Sequence, residues 1–169
     1  MLKKQKKVYL MSGVSGSGKS TWVKSQMMLG DEWISRDNVR FSIVREDEEY
    51  FSHEEEVFDT FIDYINQTLK NPNVNKIYID ATHLNKKSRN KTLNRIHKNL
   101  IDELNCVFFD IPEEVCLLRN SWRSGREFVP ETVIKNMKKV HTMPDKSEKF
   151  DHIYVVNENG IVREVDINE

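Results

Sequence analysis

The run Gly13-Val14-Ser15-Gly16-Ser17-Gly18-Lys19-Ser20 is the part of this chain best suited to chemistry. It fits the spacing G-x-x-x-x-G-K-[ST] at every fixed position. Gly13, Gly16 and Gly18 let the backbone turn tightly and bring N–H groups against phosphate oxygens. Lys19 supplies a point charge for the β- and γ-phosphates. The Ser20 hydroxyl is a hard oxygen ligand for Mg²⁺. A helix opening at this point aims its positive end at the same anion. The pattern predicts a bound nucleoside triphosphate.

Two carboxylates stand where they could complete such a site. Asp37 lies in Ile34-Ser35-Arg36-Asp37-Asn38-Val39-Arg40, just after a short apolar run. A carboxylate there can take the proton of an attacking hydroxyl, and Arg40, three residues on, can hold a phosphate of the acceptor. The same residues also suit a helix N-cap and a surface cation. Asp80 ends Ile77-Tyr78-Ile79-Asp80 and can bind Mg²⁺ directly or through water, or cap the turn that follows. Arg119, Arg123 and Arg126 lie in or beside a glycine-containing stretch that breaks helical periodicity. A mobile arginine loop can neutralise charge that develops on a triphosphate. Trp122 suits a nucleobase or the core equally.

These groups need elements to hold them. Val8–Ser12 reads as a first strand. A helix is expected from Lys19 to about Leu29, capped by Gly30. Trp33–Ser35 is a short strand, and Asp37 opens a helix through Val44. Val57, Phe58, Phe61, Ile62, Ile65 and Leu69 recur at helical spacing across 53–70. Strands follow at 76–80 and 106–110, with a basic helix at 86–100 between them. Helices are expected from about Pro112 and from Pro130, and a hairpin over 152–166. Continuously apolar strands alternating with helices predict a parallel sheet covered on both faces.

The chain has 169 residues, 31% of them charged and 38% hydrophobic, with a net charge of -1. That suits one soluble domain over 1–169. No apolar run approaches the ~20 residues that span a bilayer. The basic start, Met1 to Lys7, lacks the apolar core of a signal peptide and reads as a solvated lead-in. Cys106 and Cys116 fall in apolar patterns and read as buried free thiols, as expected in a reducing cytoplasm. The charge is uneven: residues 46–56 are acidic, whereas 86–98 and 119–139 are basic and could form a phosphate-attracting face.

In five blocks the chain resembles the kinase domain of phage-type polynucleotide 5′-kinases. They are Gly13 to Trp22, Ile34 to Arg40, Asp80-Ala81-Thr82-His83-Leu84-Asn85, Phe109-Asp110-Ile111-Pro112, and Arg119-Asn120-Ser121 leading to Val129-Pro130. The resemblance implies a P-loop NTPase-type three-layer α/β sandwich with a lid at about 119–130. It implies transfer of the γ-phosphate of ATP, with Mg²⁺, to the 5′-hydroxyl of DNA or RNA. Gly13, Ser15, Gly16, Ser17, Gly18, Lys19, Ser20 and Thr21 would hold the nucleotide. Asp37 would be the general base, and Arg40 and Asp80 would face the acceptor. Ser20 and Asp80 would hold the metal. Arg126 or Arg123 would act from a lid one residue longer than the family's. Neither the Asp-x-Asp-Gly-Thr motif of the bifunctional members' phosphatase nor a ligase Lys-x-Asp-Gly motif occurs, which places partner activities on another chain. The same site fits a kinase of nucleosides, sugars or nucleotide-sugars. A nucleotide-binding switch without transfer is the reading from another class.

Overall fold

The computed structural model describes residues 5–166. Six strands form one sheet: β1 (Lys7–Ser12), β2 (Glu32–Ser35), β3 (Lys76–Asp80), β4 (Glu103–Phe109), β5 (His152–Val156) and β6 (Val162–Val165). Their order across the sheet is β2-β3-β1-β4-β5-β6. All neighbours are parallel except β5 and β6, which form the expected antiparallel hairpin.

Six α-helices cover the sheet: α1 (Lys19–Gln26), α2 (Arg36–Ile43), α3 (Glu54–Lys70), α4 (Lys86–Leu93), α5 (Glu113–Ser121) and α6 (Glu131–Val140). The core divides in two, as a sheet buried on both faces requires. One cluster joins Val8, Leu10 and Ile79 to Val39 of α2, Leu93 of α4 and the apolar stripe of α3. The other joins Met11, Tyr78 and Phe109 to Val23 of α1, Cys116 of α5 and Ile134 of α6. All six predicted inward residues of α3 are buried. This is the three-layer architecture of a P-loop NTPase.

Several local expectations need correction. Helix α1 stops at Gln26, not Leu29. Leu29 is fully exposed, and the Asp31 carboxylate draws the Met28 N–H into a turn instead. Ser35, not Asp37, caps α2, accepting from the Asn38 N–H at 3.2 Å. That leaves the Asp37 side chain available to the site. The basic stretch 86–100 is no single helix. It ends at Leu93 and resumes as one 3-10 turn, Lys98–Leu100.

That stretch keeps Lys86, Lys87, Lys91, Arg95 and Lys98 exposed, but not Arg89. Arg89 is fully buried and pairs bidentately with Glu148, at 2.6 and 3.2 Å. Arg95 pairs with Asp59, Lys86 with Asp145, and Lys91 lies over the Phe58 ring. Lys6 departs from the solvated lead-in as well: it is buried, and its ammonium donates to the carbonyls of Asn71 and Val74. Met1 to Lys4 lie outside the described residues. Cys106 and Cys116 are both free and buried, as expected.

Candidate active site

Strand β1 lies between β3 and β4, so the loop after Ser12 leaves the middle of the sheet's C-terminal edge. That edge is where parallel α/β sheets take ligands. The loop turns through Gly16 at φ 82° and Gly18 at φ 90°, a region open to glycine. A side chain at Gly16 would also meet the Cys116 carbonyl at 2.5 Å, and one at Gly13 would meet Phe109 Cβ at 2.9 Å. Arg119, on α5, braces the loop by donating to the Ser17 carbonyl at 3.0 Å. Ser15 Oγ reaches Met137 Sδ at 3.6 Å. The Ser17 hydroxyl is buried with no partner among the described residues, and a phosphate oxygen could accept from it.

Lys19 folds over this loop, donating to the carbonyls of Gly13 and Val14 at 2.9 and 3.1 Å. Burial lowers its pKa, opposed by the carboxylates of Asp80 and Asp37; Arg123 adds to the lowering. One ammonium thus feels three of the residues expected from sequence. Asp80, at the end of β3, pairs in register with Ser35 of β2. Its Oδ2 accepts from Ser20 Oγ and from Trp33 Nε1, each at 3.0 Å. Burial raises the Asp80 pKa, while Lys19 and both hydrogen bonds oppose that. Ser20 and Asp80 therefore offer two adjacent hard oxygens. They fit Mg²⁺, which takes one or two protein oxygens and completes its shell with phosphates and water.

Beside the loop opens a cavity of about 520 Å³ lined by Thr21, Gln26, Arg119, Trp122, Arg123 and Asn157, among others. Trp122 is exposed, at 73%, rather than packed in the core. The two lid arginines part company. Arg123 lines this cavity, whereas Arg126 donates to the Val44 carbonyl at 2.5 Å and lies over the Phe41 ring. Asn120 ties the ends of the lid together, giving its amide N–H to the Val129 carbonyl and accepting from the Val129 N–H.

Asp37 sits in the first turn of α2 with an exposed carboxylate. Its Oδ1 accepts from Arg40 Nη1 at 2.5 Å and from the Tyr50 hydroxyl at 2.7 Å. Arg40 is itself buried. Its Nε and Nη2 donate to Glu54 at 2.9 and 3.1 Å, and the Tyr50 ring covers its guanidinium at 4.3 Å. Arg36 joins the same carboxylate through Nη2 at 3.2 Å. Sequence reasoning missed Tyr50, Glu54 and Trp33. The first two lie in the acidic run 46–56 and carry no motif; only the fold brings them to α2. His83 is no part of the site: it is buried between the Met11 carbonyl and the Thr92 hydroxyl, at 2.8 and 2.9 Å.

No curated protein sequence matches the chain significantly. Among solved structures, the chain is similar to one in the Pnkp1/Rnl/Hen1 RNA repair complex, with TM-score 0.70 and 21% identity over 99% of this chain. It spans only 51% of that structure's chain. It is similar to a fungal RNA kinase at TM-score 0.59 and 14% identity, over 92% of this chain and 76% of that one. It is also similar to a sugar kinase from Janibacter sp. HTCC2649, at TM-score 0.57 and 17% identity, over 92% of this chain and 86% of that one. At such identities the likeness is one of fold. The family model for the AAA domain matches residues 8–144. With a P-loop at Gly13–Ser20 and a sheet built to carry it, this chain belongs to the AAA domain family.

Proposed function

We propose that this chain is an ATP-dependent polynucleotide 5′-hydroxyl kinase. The observation that carries the reading is that Lys19 lies within the field of two carboxylates: Asp80, which accepts from Ser20, and Asp37, held by Arg40 and Tyr50. The loop amides and Lys19 bind the β- and γ-phosphates. Mg²⁺, held by Ser20 and Asp80, would neutralise charge on the bridging phosphate oxygens. Asp37 accepts the proton of the acceptor hydroxyl, whose oxygen bonds to the γ-phosphorus as the bond to the β-phosphate oxygen breaks and ADP leaves. Arg40 steadies Asp37, with its own charge matched by Asp37 and Glu54. Arg123 faces the donor phosphates from the lid.

A second reading has its own support. The loop after α2 carries Glu46, Asp47, Glu48 and Glu49, and in the basic stretch 86–98 Arg89 is buried on Glu148 while Lys86 and Arg95 pair with Asp145 and Asp59. A small neutral alcohol would meet less repulsion there than a polyanion, which favours a small-molecule kinase. The experiment is transfer from γ-labelled ATP with Mg²⁺ to three acceptors: 5′-hydroxyl oligonucleotides, nucleosides and sugars. Label is expected on the oligonucleotide. Label on sugars or nucleosides alone sinks the polynucleotide reading in favour of the second.

A further inference from the structure

Tyr50 belongs to no motif, yet from the loop between α2 and α3 it reaches both Asp37 and Arg40. Its hydroxyl donates to Asp37 Oδ1 at 2.7 Å and accepts from Arg40 Nη1 at 2.8 Å. Its ring lies 4.3 Å from the Arg40 guanidinium. Phe41 and Phe51 stand edge-on to that ring, with centroids 6.3 and 4.7 Å away. The phenol is therefore held by ring contacts and at its oxygen. Burial and the Asp37 charge raise its pKa, so it remains a proton donor throughout the ordinary pH range.

The consequence falls on Asp37. Oδ1 receives two donors, Arg40 and Tyr50, while Oδ2 receives none among the described residues. A carboxylate on a short side chain can rotate about its last bond, and two donors on one oxygen remove that freedom. The unengaged oxygen is then the one presented to an acceptor hydroxyl.

We infer that Tyr50 is a positioning residue for phosphoryl transfer, whose hydroxyl locks Asp37 through Oδ1 so that Oδ2 receives the acceptor's proton. This rests on Asp37 being the base, and it holds for any alcohol acceptor. A reactive group must be held to within a fraction of an ångström, so a hydrogen bond that touches no substrate still affects turnover.

The test compares wild type with Tyr50→Phe, which keeps the ring over Arg40 and removes only the hydroxyl. Turnover should fall about tenfold or more, the effect of losing one hydrogen bond to a charged group. The KM values for ATP and acceptor should stay within about twofold, since ground-state binding is untouched. Adding Tyr50→Phe to Asp37→Asn should cost little further rate, because the proposed role of the hydroxyl runs through that carboxylate. Unchanged turnover in Tyr50→Phe overturns the inference, and so does an equal loss in the Asp37→Asn background. So does a loss that appears in the KM for ATP together with a lower melting temperature. If wild type labels only sugars or nucleosides, the polynucleotide assignment falls, and the same comparison on that acceptor still decides Tyr50. If wild type labels no alcohol at all, both fall.

Discussion

At the scale of single residues, the site is set by atoms that have no room to be otherwise. Gly16 combines a positive φ with a carbonyl 2.5 Å from where a Cβ would sit. Neither obstacle can be moved by a side-chain rotation, because Cys116 offers backbone. Gly16→Ala should therefore shift the loop away from α5 and misalign its amides. We expect at least a tenfold weaker affinity for ATP, about 1.4 kcal/mol or more, by isothermal titration calorimetry. Near-native binding would mean that the loop's amides do not set the affinity. Lys19 and Asp80 show the same economy: each is desolvated, and each is the other's chief compensation.

At the scale of elements, the segment 119–130, expected to be a lid, is the one whose arginines lie in different places. The helix α5 continues through Ser121, so Arg119 is a helical residue that braces the P-loop, while Arg123 and Arg126 lie beyond it. Asn120 clasps Val129, which fixes where the lid leaves and where α6 begins at Pro130. Between those points, Arg126 docks on the C-terminal end of α2, and Arg123 lines the cavity beside the P-loop. Helix C-terminal carbonyls attract cations, so the Arg126 contact is a docking contact on general grounds. Arg123→Ala should raise the KM for ATP or lower turnover by about tenfold, in the range of a lost charge-assisted contact to phosphate. Arg126→Ala should leave the KM for ATP within about twofold, since its guanidinium is spent on Val44. Steady-state kinetics on the two variants separate these outcomes, and equal effects on ATP would show that the lid moves as one piece. The sequence offered both arginines for one role; spacing along a loop does not say which side chain turns inward.

At the scale of the whole molecule, the layer beneath the P-loop is held by buried polar groups. Arg89 joins Glu148 to the carbonyls of His83 and Thr142, and Ser12 joins the His83 carbonyl to the His141 ring. His141 also stacks on Phe108, with centroids 4.1 Å apart. Burial drives the pKa of His83 down to about 3 and that of His141 down to about 4. An imidazole that is neutral in the fold but titrates near 6.5 when unfolded stabilises the fold fully above pH 6.5. That stability is lost as pH falls from 6.5 towards the folded value. Between pH 6.5 and 5, His83 alone should cost about 2 kcal/mol, on the order of 4–8 °C in melting temperature for a chain of this size. His83→Gln should flatten that part of the curve. Comparing the two proteins removes Asp80, whose raised pKa acts in the opposite sense. Identical slopes for both would mean that His83 is solvated. Among the described residues no helix is long and apolar enough to cross a membrane.

The amino-acid sequence by itself determined the layered fold and the donor half of the site. Both are written in local patterns. The P-loop needs glycines and a Lys-Ser pair in consecutive positions, and the strands and α3 need only a period of two or 3.6, or an unbroken apolar run. Asp80 was legible as a candidate because it ends β3, Asp37 because it lies just after β2, and Arg40 because it lies one helical turn on; strand ends are where an α/β sheet gathers its ligands. The tertiary structure decided what depends on residues distant in sequence. It cut the basic stretch 86–100 into short pieces and buried Arg89 on Glu148. It gave Arg40 to Glu54 and Tyr50 as well as to Asp37, and it sent Arg123 and Arg126 to different places. The physical reason is range: backbone geometry and periodicity are set by neighbours a few residues apart. A desolvated charge takes whatever opposite charge or hydrogen-bond partner the packed layers bring within about 3 Å.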